Sequence, residues 1–179
     1  MTDIEAHWRT QRCPSSGAQA RFCKVRGTLR EVAHYIFNFV RGDGDAAEGS
    51  ALREQAVGFL RLRMWGIDAD ERHGNALAPG DLILIYLGAP EREFIGRAEL
   101  ASAAHDWTPS EAQVYPGDSP SGVVLAQVEE WDPPVPMDIV LSQIDPAENA
   151  KADFAAGVVR ITASEYETAL AVAGRAFPI

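Results

Sequence analysis

The residues able to carry out chemistry are few and dispersed. The four histidines stand at positions 7, 34, 73 and 105, too scattered to be read as one metal site. The two cysteines, Cys13 and Cys23, form no CxxC pair and have no flanking histidine, so reduced thiols in a cytosolic protein are the expectation. The sequence contains no Walker loop, no GxGxxG after a strand, no GxSxG elbow and no HExxH pair. His105-Asp106 is the only adjacent histidine–carboxylate pair, and a general base could sit there, although such pairs also arise by chance. Cys13 has no base in its sequence neighbourhood that would activate it as a nucleophile. No catalytic residue, metal or cofactor is therefore expected; a small-ligand binder or enzyme built on His105 and Asp106 is the weaker alternative.

The aromatic residues say more. Trp65 lies in Arg-Met-Trp-Gly-Ile, where a helical pattern runs out, and Trp107 and Tyr115 fall in a stretch rich in glycine and proline. A large ring in such a place either tucks back as an anchor or presents its face to a ligand. Trp131, beside Glu129, Glu130 and Asp132, reads as structural. Arg53, Arg61 and Arg63 lead up to Trp65. Guanidinium groups that hold phosphates beside a ring that stacks on an unpaired base are what a nucleic-acid site needs, and a solvated helix face explains the same arginines equally well.

These residues must be positioned by a fold of about one domain, since the chain has 179 residues of which 46% are hydrophobic. The formal charge of -10 argues at first against a phosphate-rich partner. That deficit is regional. Residues 101–150 hold nine acids and no Lys or Arg, whereas residues 1–100 hold thirteen basic residues against fourteen acids. Only Lys24 and Lys151 are lysines, so the positive charge is almost all guanidinium, for which a high-GC genome is the plain explanation. No run approaches the roughly 18 apolar residues of a membrane span and the first residues lack a signal-peptide core, so a cytoplasmic protein that meets no membrane is expected.

Residues 1–30 read as a basic arm with a short strand near Arg21–Val25, and residues 31–179 as the domain proper. His34 to Val40 is dense in aromatic and β-branched residues and stops at Arg-Gly-Asp-Gly-Asp, which predicts a strand and a turn. Leu52, Ala56, Phe59, Leu60 and Arg63 recur at helical spacing, which predicts a helix over 51–64 ending near Gly66. Asp81-Leu-Ile-Leu-Ile-Tyr-Leu87 has the form of a buried central strand, with Glu93–Ser102 as its hairpin partner and Gly122–Glu130 as a third run. Residues 103–121 read as a long loop, and the prolines after Asp132 break the chain before Met137–Ile144. Gly157–Ile161 predicts a short strand, and Thr162-Ala-Ser-Glu165 has the capping-box form ahead of a helix over Ala163–Ala173. The order shows no βαβ alternation and gives an α+β domain whose curved or barrel-like, mainly antiparallel sheet is flanked by helices.

In their order these elements resemble the EVE domain, a branch of the PUA-like superfamily that also holds the YTH domains. The resemblance rests on His34-Tyr-Ile-Phe-Asn-Phe-Val40, Met64-Trp65-Gly66-Ile67, Leu77-Ala-Pro-Gly-Asp-Leu-Ile-Leu-Ile-Tyr86, Phe94-Ile-Gly-Arg-Ala-Glu-Leu100 with Asp106 beyond it, and Arg160-Ile-Thr-Ala-Ser-Glu-Tyr166. It covers roughly residues 32–172 and departs from a minimal EVE domain by the N-terminal arm. The resemblance implies a PUA-like twisted β-barrel with a concave pocket that receives a single, often methylated, base. Trp65 and Gly66 would form one wall, with Trp107 as the first choice for the second wall and Tyr115 as the next. Asn38, Phe39 and Asp43 would meet the polar base edge, Tyr86 would join the pocket, and Arg41, Arg53, Arg61 and Arg63 would contact phosphates. It further implies a non-catalytic reader of methylated DNA, with 5-methylcytosine or N6-methyladenine as ligand, RNA as the alternative, and a separate nuclease or restriction partner for any cleavage. Burying one methyl contributes only about 0.8 kcal/mol, roughly a fourfold preference, so larger selectivity requires polar contacts.

Overall fold

The computed structural model describes residues 22–25, 28–39, 49–68, 71, 73–143 and 157–176. Arg41, Asp43 and Cys13 lie outside the described residues. The chain divides into two compact units, Met1–Glu31 and Val32–Ile179. In the first, β1 (Phe22–Val25) pairs antiparallel with β2 (Thr28–Glu31).

Among the described residues, the second unit is one curled half-barrel sheet with four α-helices. Its strands are β3 (His34–Phe39), β4 (Met64–Ile67), β5 (Leu82–Leu87), β6 (Glu93–Leu100), β7 (His105–Asp106), β8 (Ser121–Pro136) and β9 (Val158–Ile161). They run in the order β4-β8-β6-β5-β3-β9, with β7 added on β8. The helices are α1 (Gly49–Leu62), α2 (Pro109–Val114), α3 (Met137–Leu141) and α4 (Ala163–Ala176).

Period-two alternation explains why a run such as Leu-Ile-Leu-Ile-Tyr-Leu is apolar throughout: the sheet is covered on both sides. Tyr35, Phe37, Ile83, Ile85 and Leu87 point into the half-barrel and pack with Ala56, Val57, Phe59 and Leu60 of α1. Ile36, Leu84, Tyr86 and Phe94 point the other way, onto Met137 and Val140 of α3 and Tyr166, Ala169, Val172 and Ala173 of α4. The α+β, mainly antiparallel architecture is as expected.

Four local differences have physical causes. β3 and β5 pair in parallel, because the connection through α1 and β4 returns the chain to the same end of the sheet. The helix stops at Leu62 instead of continuing toward Gly66. Arg63 takes a left-handed φ of 57°, a position glycine usually fills, and Met64–Ile67 then pairs with Ser121–Val124 of β8. β8 continues through Pro133 and Pro134, since its partners jump from Phe94↔Val135 to Gly96↔Glu130 and the prolines fall in the bulge, where no ladder donor is required. The stretch 103–121 carries order of its own in β7 and α2.

Asp81 ties these elements together. Its buried carboxylate accepts the backbone N–H groups of Ala33 and Ala78, each at 3.0 Å, joining the approach to β3 with the Pro-Gly turn. Among the described residues no helix is long and apolar enough to cross a membrane, and no group of three or more metal-ligating side chains is assembled.

Candidate nucleic-acid interface

At one end of the half-barrel two glycines, Gly66 on β4 and Gly122 on β8, face each other as a cross-strand pair. Directly opposed residues project to the same face, so the pair leaves a window of bare backbone. Two rings fill it. A Cβ on Gly122 would run into the Trp107 ring and the Trp65 carbonyl, and one on Gly66 would run into the Tyr115 hydroxyl and Ser119. Glycine is needed at both positions because the rings lie directly on the strands.

The segment carrying those rings is tightly tethered. Trp107 Nε1 donates to the Ser119 carbonyl at 2.9 Å, and the Trp107 backbone N–H donates to the Pro120 carbonyl at 3.1 Å. Between the rings, Thr108 caps α2 in a reciprocal box: Glu111 N–H donates to Thr108 Oγ1 at 3.3 Å, and Glu111 Oε2 accepts from Thr108 N at 2.9 Å. Thr108 Oγ1 also lies 2.6 Å from that oxygen. Ser119 Oγ donates to Asp68 Oδ1 at 2.9 Å, pinning the far end of the loop beyond β4. Trp107 and Tyr115 stand 4.9 Å apart at 37°, and Tyr115 stacks on Phe59 of α1 at 5.2 Å and 25°. Burial pushes the Tyr115 hydroxyl's pKa up, and its hydrogen bonds with Ser119 and the Gly66 backbone draw it part of the way back.

Trp65 occupies a different environment. It is a strand residue, 4% exposed, packed on Phe37, Phe39 and Phe59 at centroid distances of 6.1, 5.6 and 5.8 Å. Its cross-strand partner is Val123, so alternation turns its side chain to the face opposite the glycine window. Trp107, by contrast, is half-buried and keeps part of its surface in solvent. Phe39, also half-buried, ends β3 against Phe59 and Trp65.

The remaining sequence-predicted residues divide as follows. Asn38 and Tyr86 lie next to each other across the β3–β5 ladder and are buried, away from the Trp107 window. Tyr86 donates to Met137 Sδ at 2.9 Å and packs on Phe94 at 5.2 Å. Arg53 is within 4.0 Å of Glu93 and 3.8 Å of Asp132, and Arg61 lies 3.4 Å from Glu130, so the helix arginines answer to acids on β6 and β8. Arg63 is exposed at the helix end. His105 has its Nδ1 3.0 Å from the Ala103 carbonyl and its Nε2 3.4 Å from both Glu111 oxygens, while Asp106 is exposed. His105 packs edge-on to Trp107 at 5.7 Å.

Sequence reasoning missed Phe59, Ser119, Thr108 and Glu111 as parts of this site. The Thr108-Pro-Ser-Glu111 capping box was available as a signal; the stacking of Phe59 on Tyr115 has none, because it joins residues far apart in the chain.

No protein-family model and no curated protein matches this chain. Solved structures are similar in fold. Rpa0253 from Rhodopseudomonas palustris aligns with 20% identity over 80% of this chain and 94% of its own, at a TM-score of 0.53. Atu2648 from Agrobacterium tumefaciens aligns with 15% identity over 80% and 94%, also at 0.53. A Pseudomonas putida protein aligns with 16% identity over 79% and 99%, at 0.54. The likeness is one of architecture alone: a curled half-barrel sheet with flanking helices.

Proposed function

We propose that this chain is a non-catalytic nucleic-acid reader that takes a single nucleobase onto the solvent side of Trp107. In the first instance the ligand is a modified base in DNA, 5-methylcytosine or N6-methyladenine. One observation carries the reading: a partly exposed tryptophan is locked at its ring nitrogen over a glycine window and buttressed by Tyr115 and His105. Such a ring is prepaid in rotamer entropy and has no packing need that would require its solvent-facing side. Stacking on an aromatic contributes about 1–3 kcal/mol per base, and flipping a base from a duplex costs a few kcal/mol, so one platform roughly offsets extrusion.

The charge distribution agrees with recognition through a base. Because Arg53 and Arg61 face carboxylates, they contribute little free positive charge for a phosphate backbone, and a protein so arranged depends on its pocket. RNA is the second reading, supported by the placement of Trp107 at a rim. A single strand already presents unstacked bases there, with no extrusion needed. Strand cleavage, if it follows recognition, belongs to a separate nuclease partner.

The test is binding to matched methylated DNA, unmethylated DNA and RNA oligonucleotides at one stated salt concentration. Wild type is expected to prefer one methylated DNA, and Trp107→Ala to lose about 5- to 150-fold in affinity with the fold retained by circular dichroism. Equal affinity for all oligonucleotides, or unchanged affinity in Trp107→Ala, overturns the reading.

A further inference from the structure

We propose that His105 and Glu111 are positioning residues for Trp107, and that a proton shared between their side chains fixes the ring over the glycine window. The inference rests on the reading of Trp107 as the base platform only in its binding arm.

Both nitrogens of His105 face acceptors. Nδ1 is 3.0 Å from the Ala103 carbonyl, and Nε2 is 3.4 Å from each oxygen of Glu111. A neutral imidazole carries one N–H and can satisfy only one of these; the imidazolium donates to both. The ring therefore closes the loop at two points when protonated and at one when neutral. Among the described residues, the charged groups acting on it are Glu111 from α2 and Asp106 from its own strand, both carboxylates, while β8 presents Gly122 and Ser121 across the ladder. The Ala103 carbonyl is the largest influence raising the His105 pKa, with Glu111 and then Asp106 adding to it against the opposing effect of burial.

Glu111 is not free to adapt. Its Oε2 also takes the Thr108 N–H and hydroxyl, which hold its own pKa down and keep it charged. The clasp thus links the α2 cap to β7, and the His105 ring stands edge-on to Trp107. Losing the second bond frees the histidine ring to rotate and removes one side of the tryptophan's support. The sign follows from the raised pKa. The closed arrangement is fully favoured below the ordinary imidazole range and is lost as pH rises through the folded value.

The experiment follows the Trp107 indole Nε1–H resonance of the full ¹⁵N-labelled chain from about pH 5.5 to about pH 8.5, with the resonance assigned through Trp107→Phe. It is expected to titrate in wild type, to stay constant in His105→Gln, and to titrate at lower pH in Glu111→Gln. Glu111→Gln keeps an acceptor for Thr108 and serves as the test if His105→Gln does not fold. Thr108→Ala weakens the cap but leaves both clasp residues, and should still titrate. In the binding arm, affinity for a methylated oligonucleotide should fall by about fivefold or more over the same range, and be flat in His105→Gln. A Trp107 signal that titrates identically in His105→Gln and Glu111→Gln, or does not titrate in wild type, overturns the clasp. A titrating signal with no oligonucleotide binding at any pH sustains the clasp and overturns the reading of Trp107 as a base platform.

Discussion

The two ends of this molecule's aromatic content are built on opposite plans. On the face covered by α3 and α4, Trp131 is 4% exposed and lies with Phe94, Val135, Met137 and Val140, and its ring nitrogen is 3.2 Å from Glu129. At the glycine window, Trp107 is seated on backbone, precedes a six-residue helix, and is left partly in solvent. Both indoles have a hydrogen-bond acceptor, so satisfaction of the N–H does not distinguish them. What separates them is what adjoins the ring: two helices in one case, and a short capped segment held by Thr108, Glu111 and Ser119 in the other. A buried ring stabilises by area and shape, whereas a fixed ring at a rim is positioned at some expense of glycine entropy without being used up in packing. That contrast makes Trp107 the candidate for recognition and Trp131 a core residue.

The largest expected effect that tests the contrast comes from Trp131→Ala, which should destabilise the fold by about 3–5 kcal/mol in urea denaturation while the folded fraction keeps its oligonucleotide affinity. Parallel loss of affinity per folded molecule would show that the two faces are coupled. Gly122→Ala should have a smaller effect on stability, about 1–3 kcal/mol, because the new methyl displaces the Trp107 ring or the Trp65 backbone. Unlike the Trp131 change, it should abolish base preference; retention of that preference in a folded Gly122→Ala protein would remove the window from the site. The smallest effect belongs to Arg53→Gln and Arg61→Gln, each within about 0.5 kcal/mol of wild type in stability, as exposed or partly exposed ion pairs usually are. Their salt dependence of oligonucleotide binding should match wild type. A shallower slope would show that these arginines contact phosphates after all.

Much of the architecture was legible because its signals are local. The density of aromatic and β-branched residues in β3 and the continuous apolar run of β5 identify strands, and Thr162-Ala-Ser-Glu165 marks the start of α4, where Glu165 N–H donates to Thr162 Oγ1 at 3.2 Å. The end of α1 was misread because nothing in Leu-Arg-Leu-Arg-Met-Trp forbids another helical turn. Pairing with β8, sixty residues later in the chain by Met64↔Val124, forces Arg63 into the left-handed region. The same pairing moved Trp65 from a helix terminus into the core. Pro133 and Pro134 were read as breakers because a proline lacks a ladder donor; whether that donor is needed depends on the register of β6, which the proline-bearing stretch itself does not encode.

The sequence by itself determined the class of fold, the identity of the apolar strands, the regional placement of negative charge and the three rings worth following. Tertiary structure alone decided that Gly66 stands opposite Gly122, that Trp107 and Tyr115 come to rest on that pair, and that the arginines of α1 meet the acids of β8. The physical reason is range. Periodicity and capping act over one or two turns of chain, whereas a ring's exposure and a guanidinium's carboxylate are fixed by strand register between segments tens of residues apart.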